Sequence, residues 1–287
     1  AIPELDKTIA LFDKAVTLKK RDIYKYINSY RLLGERYIDQ REYLRAKENF
    51  IKGINLFEEK NQLNGFESDK NVGITYADLA DIDYFISGDL DNAERNYVNS
   101  INNKNDNSSI RYKLGYINYR DEDYEDAVNH FLVASKDKDS DLNLMLALGN
   151  SLSLKDDNFA SVGYYQRLIE LLDFEIEKKD IILPQINEED TYLVDMYLKA
   201  TNNIGVGQFR IARETGNSNL NGQSMNNLQE SLRAWDSFTR NPVTMVRLPG
   251  TNLAEQNLKY IINPVSTFEP AIYTDIPRIM QNEKGLE

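Results

Sequence analysis

The sequence of 287 residues has no cysteine and a single histidine, His130. Disulfides, thiolate chemistry and Cys-ligated zinc are therefore excluded, and neither a Ser-His-Asp triad nor a multi-His metal site is expected from this chain alone. Basic residues are also short: 34 Lys+Arg against 46 Asp+Glu leave a net charge of −12. That balance argues against nucleic-acid binding, which needs clustered cations along a phosphate backbone. No apolar run approaches the roughly 18–20 residues of a spanning helix. There is no HExxH and no glycine-rich phosphate loop ending in Lys-Ser/Thr. Proline is scarce and uneven: of seven, only Pro3 precedes residue 184, and five lie between Pro242 and Pro277.

What remains is 41% hydrophobic and 28% charged residues, an ordinary folding composition, with enough chain for one large domain or two smaller ones. The long stretch almost free of Pro, rich in Leu, Ala, Glu, Lys and Tyr, reads as helix after helix. Thr215–Asn227 (TGNSNLNGQSMNN) reads as a polar loop. Ala1–Lys20 has no basic start followed by an apolar core, so no secretory leader is legible there, which leaves the compartment open. The abrupt start, and an end in which Leu286-Glu287 is open to reading as a cloning remnant, leave room for a longer parent protein.

A period of 34 residues runs through this helical stretch. Ala93, Ala127 and Ser161 are in phase, as are Tyr97, Phe131 and Tyr165, and Ser100, Ala134 and Leu168. A small residue, an aromatic four later and a small or apolar residue three further on share one helix face. Upstream, Leu114-Gly115 precedes Ala127 at the same distances as Leu148-Gly149 precedes Ser161. Turn signals separate the two helices at Gly88-Asp89, Asp121–Asp123 and Lys155–Asn158. An earlier copy keeps the internal offsets with Leu33-Gly34, Tyr37, Tyr43, Ala46, Phe50 and Gly53, and the residues inserted after it fall around Lys60–Lys70. Thr8, Ile9, Phe12, Ala15 and Val16 match one further second helix. Small residues let paired helices approach, and the aromatic fills the space between repeats.

This spacing resembles the tetratricopeptide repeat, a helix–turn–helix unit of 34 residues. The resemblance covers about residues 4–175. It implies an all-α, right-handed solenoid made of a half repeat (4–20) and repeats near 27–60, 74–107, 108–141 and 142–175. In the best copy, Asn118 stands at a usual aromatic place and Asp139 replaces the closing Pro. Residues 176–287 read as a degenerate helical pair (192–215 and 228–240, with Ser231, Trp235 and Phe238 in the repeat places), a capping helix at 251–262 and an extended strap at 263–278 carrying three prolines. A solenoid end needs covering, and such a strap would cover it.

The chemistry-bearing patterns are weak. Asp137-x-Asp139-x-Asp141 opens like a calcium loop, but Leu142 and Leu148 stand where the turn Gly and the closing Glu belong, so a solvated turn is expected. Gly205-Val-Gly207 follows no strand and reads as close helix packing. His130 is expected to be partly exposed beside Phe131. No catalytic residue, metal or cofactor is expected.

The resemblance also implies that the first helices line a groove for another protein or peptide. Family positions put Arg31, Ile82, Phe85, Tyr112, Tyr116, Tyr119, Arg120, Leu146 and Asn150 there. Such an aromatic wall on a solvent-facing surface would mark a contact site. Alternatively, the chain's own insertion or strap fills the groove. Chaperone-tail domains of this family clamp a terminal carboxylate; the matching places here are Arg31, Glu35, Ser109 and Lys113, and Glu35 would repel it. A second patch holds Arg233, Trp235, Arg240 and Arg247, read either as a structural cap or as a docking surface. The segments Arg233–Gly250 and Phe268–Arg278 resemble the carboxy-terminal part of spirochaete periplasmic repeat proteins of the flagellar motor collar, and the 31 Asn suit an AT-rich source. The expectation is a non-catalytic scaffold in a multi-subunit ring or other assembly, placed in the periplasm. The alternatives are a cytoplasmic adaptor or co-chaperone, a module of a larger enzyme, or an exported peptide- or ligand-binding protein.

Overall fold

The computed structural model describes residues 2–15, 19–64, 67–180, 190–239, 252–264 and 268–279. Among them are twelve α-helices and no strand. They are α1 (Ile2–Asp13), α2 (Lys20–Asp39), α3 (Tyr43–Asn64), α4 (Lys70–Asp81), α5 (Leu90–Asn102), α6 (Ser108–Arg120) and α7 (Tyr124–Ser135). Then follow α8 (Leu142–Leu154), α9 (Asn158–Lys178), α10 (Thr191–Thr215), α11 (Ser218–Thr239) and α12 (Leu253–Ile262). A π-helical turn, Ile82–Ser87, continues α4. The chain forms two compact units, residues 1–117 with 278–287, and residues 118–277. The division falls inside α6.

The expected all-α helical-repeat fold is present, and its phase is that of the sequence period. Ala46, Ala93, Ala127 and Ser161 are fully buried, as are Phe50, Tyr97, Phe131 and Tyr165. Helices pair as the period requires: α2 with α3, α4 with α5, α8 with α9. The glycine of the Leu-Gly pair lies flat against its own repeat's aromatic. A Cβ on Gly34 would fall 2.4 Å from the Phe50 ring, and one on Gly149 would fall 2.4 Å from the Tyr165 ring.

The turns repeat as well. Gly88, Glu122 and Asp156 are 34 residues apart and all adopt left-handed backbone, with φ of 67°, 63° and 65°. The next residue in each case, Asp89, Asp123 or Asp157, caps the following helix by accepting the N–H of Asn92, Asp126 or Ala160. These acceptors satisfy amides that a helix start leaves open. Asp141, from the calcium-like run, does the same for Asn143 and Leu144, so that run is a helix cap.

The expected polar loop at 215–227 is a correction: only Gly216 and Asn217 lie between α10 and α11. Gly216 closes α10 in left-handed conformation, and Asn217 caps α11 at Asn219 and Leu220. Ser224, fully buried, donates to the Gly205 carbonyl, and Asn227 donates to Gln208. Ser224 and Asn227 thus face α10, while Asn217, Ser218, Asn219, Gln223 and Asn226 face solvent. Gly205 and Gly207 serve close packing, against Leu228 and Val162 respectively.

Candidate functional site

The candidate site lies in the unit of residues 118–277, where α8, α10 and α12 hold the strap, here residues 268–277. Its origin is an oddity of α10: Asn202 and Asn203 sit side by side, both fully buried, in the middle of a 25-residue helix. Asn is a poor helix former whose amide competes for backbone partners. Here both amides point away from their own helix and hold another piece of backbone.

Asn203 Oδ1 accepts the Tyr273 N–H at 2.8 Å, and its Nδ2 donates to the Tyr273 carbonyl at 3.0 Å. Asn257 on α12 treats Ala271 the same way, accepting its N–H at 2.9 Å and donating to its carbonyl at 2.8 Å. Asn202 adds a bond to the Ala271 carbonyl and accepts from Asn257. Ala271 and Tyr273 are alternate residues of one extended segment, so each carboxamide replaces a neighbouring strand. Further along, the Tyr119 hydroxyl donates to the Thr274 carbonyl at 2.5 Å, and Asn150 Nδ2 reaches the Asp275 carbonyl at 3.5 Å. Behind these groups, the Tyr165 hydroxyl and Asn203 both donate to Asn150 Oδ1. The second layer therefore fixes which way the Asn150 amide faces.

Two strap side chains add chemistry to this main-chain grip. Tyr273 is buried in an apolar cluster with Leu198 and Ala234, against which Tyr197, Trp235 and Leu253 pack. Its hydroxyl accepts the Leu253 N–H at the start of α12. Burial pushes the Tyr273 phenol up to about 12. Asp275 meets Lys199 at 2.5 Å, and Lys199 also pairs with Asp195 at 2.6 Å. Burial pushes the Lys199 ammonium down, but the two carboxylates outweigh it and hold it above its ordinary range. Burial raises Asp195 despite the same lysine.

Of the expected groove residues, Tyr119 and Asn150 therefore belong to this site, facing the chain's own strap. Leu146 is buried, and Arg120 is exposed. The expectation of an exposed aromatic wall is corrected: Ile82, Tyr112, Tyr116 and Tyr119 are all less than 10% exposed. In the unit of residues 1–117 with 278–287, Ile82 belongs to the core with Phe85 packed against it. Asp81 stands where other repeats have glycine, and it accepts from Tyr97 and from buried Lys113, both at 2.6 Å. The Arg278 guanidinium lies over the Tyr84 ring at 4.4 Å and donates to the Tyr84 carbonyl. Arg31 is bound to Glu35 and Asn28, and Lys113 to Asp81, so the places of a carboxylate clamp are taken.

In the second patch, Trp235 packs against the cluster that receives Tyr273, whereas Arg233 is exposed and pairs with Glu230. Arg240 and Arg247 lie outside the described residues. Sequence reasoning missed Lys199, Asn202, Asn203 and Asn257. The legible signal was the adjacent Asn pair in the middle of a long helical segment.

No protein-family model and no curated protein matches the chain. Solved structures do. YrrB, described as a TPR protein with an unusual peptide-binding site, superposes with a TM-score of 0.54 at 12% identity, over 86% of this chain and 98% of that one. The C-terminal part of a TPR repeat-containing protein of Cytophaga hutchinsonii gives 0.47 at 14% identity over 76% and 79%. MamA gives 0.44 at 15% over 78% and 97%. At these identities the likeness to YrrB is one of fold, a tetratricopeptide-type arrangement of helical pairs.

Proposed function

We propose that the chain is a non-catalytic scaffold that binds other polypeptides. One observation carries this reading: the chain already holds an extended polypeptide segment by its main chain, through amides projected from helices α8, α10 and α12. The YrrB fold likeness supports it, since a peptide-binding site is ascribed to that protein. Within the same reading the finer placement is a subunit of a larger assembly, the periplasmic collar of a spirochaete flagellar motor. Its support is the likeness of Arg233–Gly250 and Phe268–Arg278 to collar proteins, together with the Asn-rich composition.

The test is in-cell crosslinking of the tagged full-length protein, followed by fractionation. A stoichiometric polypeptide partner that co-fractionates with motor complexes is the expected result. Recovery of the chain alone, or a turnover activity with a small-molecule substrate, would refute the proposal.

A further inference from the structure

We propose that the seat of the strap is a binding site for an extended segment of a partner polypeptide, one that carries an aromatic residue and, two positions later, a carboxylate. The strap is its tethered competitor. This rests on the reading of the chain as a polypeptide scaffold and names the partner's chemistry.

The rule is read from what the site holds. Four asparagines and Tyr119 bind backbone only, which any sequence supplies, except that proline cannot stand where Ala271 or Tyr273 donates its N–H. Selectivity comes from the two side-chain contacts. The Tyr273 slot is apolar along its walls and ends at the Leu253 N–H, so it fits a ring with a hydroxyl tip. Lys199 is nearly buried and faces the carboxylate two residues on.

The strap is suited to leave. It inserts few large side chains, chiefly Ile272 and Tyr273, while Thr274 and Asp275 are exposed. The rest of its grip is the Phe268 ring against Tyr260, the Asp275–Lys199 ion pair and hydrogen bonds, the last of which exchange readily for bonds to water or to another backbone. Lys199 keeps Asp195 when Asp275 departs, so an open site holds no orphan cation. Pro270 and Pro277 bracket the segment and stiffen it in extended form. Tethering raises its local concentration, so a partner must outbid an intramolecular ligand.

A labelled synthetic peptide of the sequence Phe268–Arg278 is the probe, measured by fluorescence anisotropy against the full chain. Asp275→Lys sets a like charge against Lys199 and loosens the strap in place. That variant is expected to bind the peptide at least about tenfold tighter than the parent chain. Adding Asn203→Ala should abolish the gain, and peptides with Ala for the tyrosine or Lys for the aspartate should fail to compete. No peptide binding by an Asp275→Lys chain of native helicity overturns the proposal.

If that variant does not fold, hydrogen exchange of the parent decides. Ala271 and Tyr273 amides exchanging faster than the central amides of α10 supports a strap that opens, and equal protection overturns it. A dimer of the parent chain that the peptide dissolves would assign the site to a second copy, against the partner proposed. A partner that binds parent and Asp275→Lys chains equally overturns this site yet leaves the scaffold reading standing.

Discussion

At the scale of single residues, the repeat is held by a ring lying on a glycine. Gly149 has no room for a methyl group, since a Cβ would meet Tyr165 at 2.4 Å, and Tyr165 is pinned by its bond to Asn150. Gly149→Ala is expected to lower stability by about 1–3 kcal/mol through overpacking. Gly163→Ala, in a helix with nothing near its Cβ, should be neutral or gain up to about 1 kcal/mol. Urea denaturation of both variants checks the contrast. The turn between helices makes the opposite case: Glu122 is exposed and holds the left-handed backbone that Gly88 holds in the preceding repeat. Glu122→Gly should therefore raise the melting temperature, corresponding to about 1 kcal/mol, because glycine relieves the left-handed strain. A lower melting temperature would show that the acidic side chain does something the backbone does not reveal. The ring-on-glycine contact was legible because both residues recur every 34 positions. Asp81 was not legible as its substitute: a carboxylate in the glycine place works only because Tyr97 brings a hydroxyl and Lys113 a charge.

At the scale of elements, the helices from α2 to α9 were legible because their small and aromatic packing positions recur from repeat to repeat. The start of α11 was not, since its packing face carries Ser224 and Asn227 where an apolar stripe was sought. The strap was legible as an extended, proline-bearing cover, but its seat was not. Main-chain recognition leaves no mark on the sequence of the strap, and its mark on the receiving helices is a few asparagines among 31. Those asparagines act as a connected set. Asn203→Ala strips both bonds from Tyr273 and one from Asn150, so it should cost on the order of 2–3 kcal/mol, more than an isolated hydrogen bond. Asn257→Ala should cost less, because Asn202 still reaches the Ala271 carbonyl. In a double-mutant cycle the two losses should fail to add, since both act by releasing one segment. Strict additivity in urea denaturation would mean that the two strap positions are held independently.

At the scale of the whole molecule, the chain contains 18 tyrosines, and its repeat positions bury several of them. Burial raises the phenols of Tyr84, Tyr97, Tyr119 and Tyr165 above the ordinary range, with the Asp81 carboxylate adding to the effect at Tyr97. Tyr273 reaches about 12 for the same reason. A tyrosine in the unfolded chain loses its proton near pH 10. Because the folded values lie above this, the folded state retains protons that the unfolded state gives up. The stabilisation is complete below about pH 10 and is lost as pH rises from there through the folded value. Both compact units contain such tyrosines, so neither is exempt. Tyrosinate absorbance and helical circular dichroism followed together should separate two groups. One group ionises first, with the helices intact, whereas the buried phenols ionise only as the helical signal falls. All tyrosines titrating in one step near pH 10 with full helicity would mean that the repeat aromatics reach solvent. The packing phase shared by Tyr97, Phe131 and Tyr165 could not then hold.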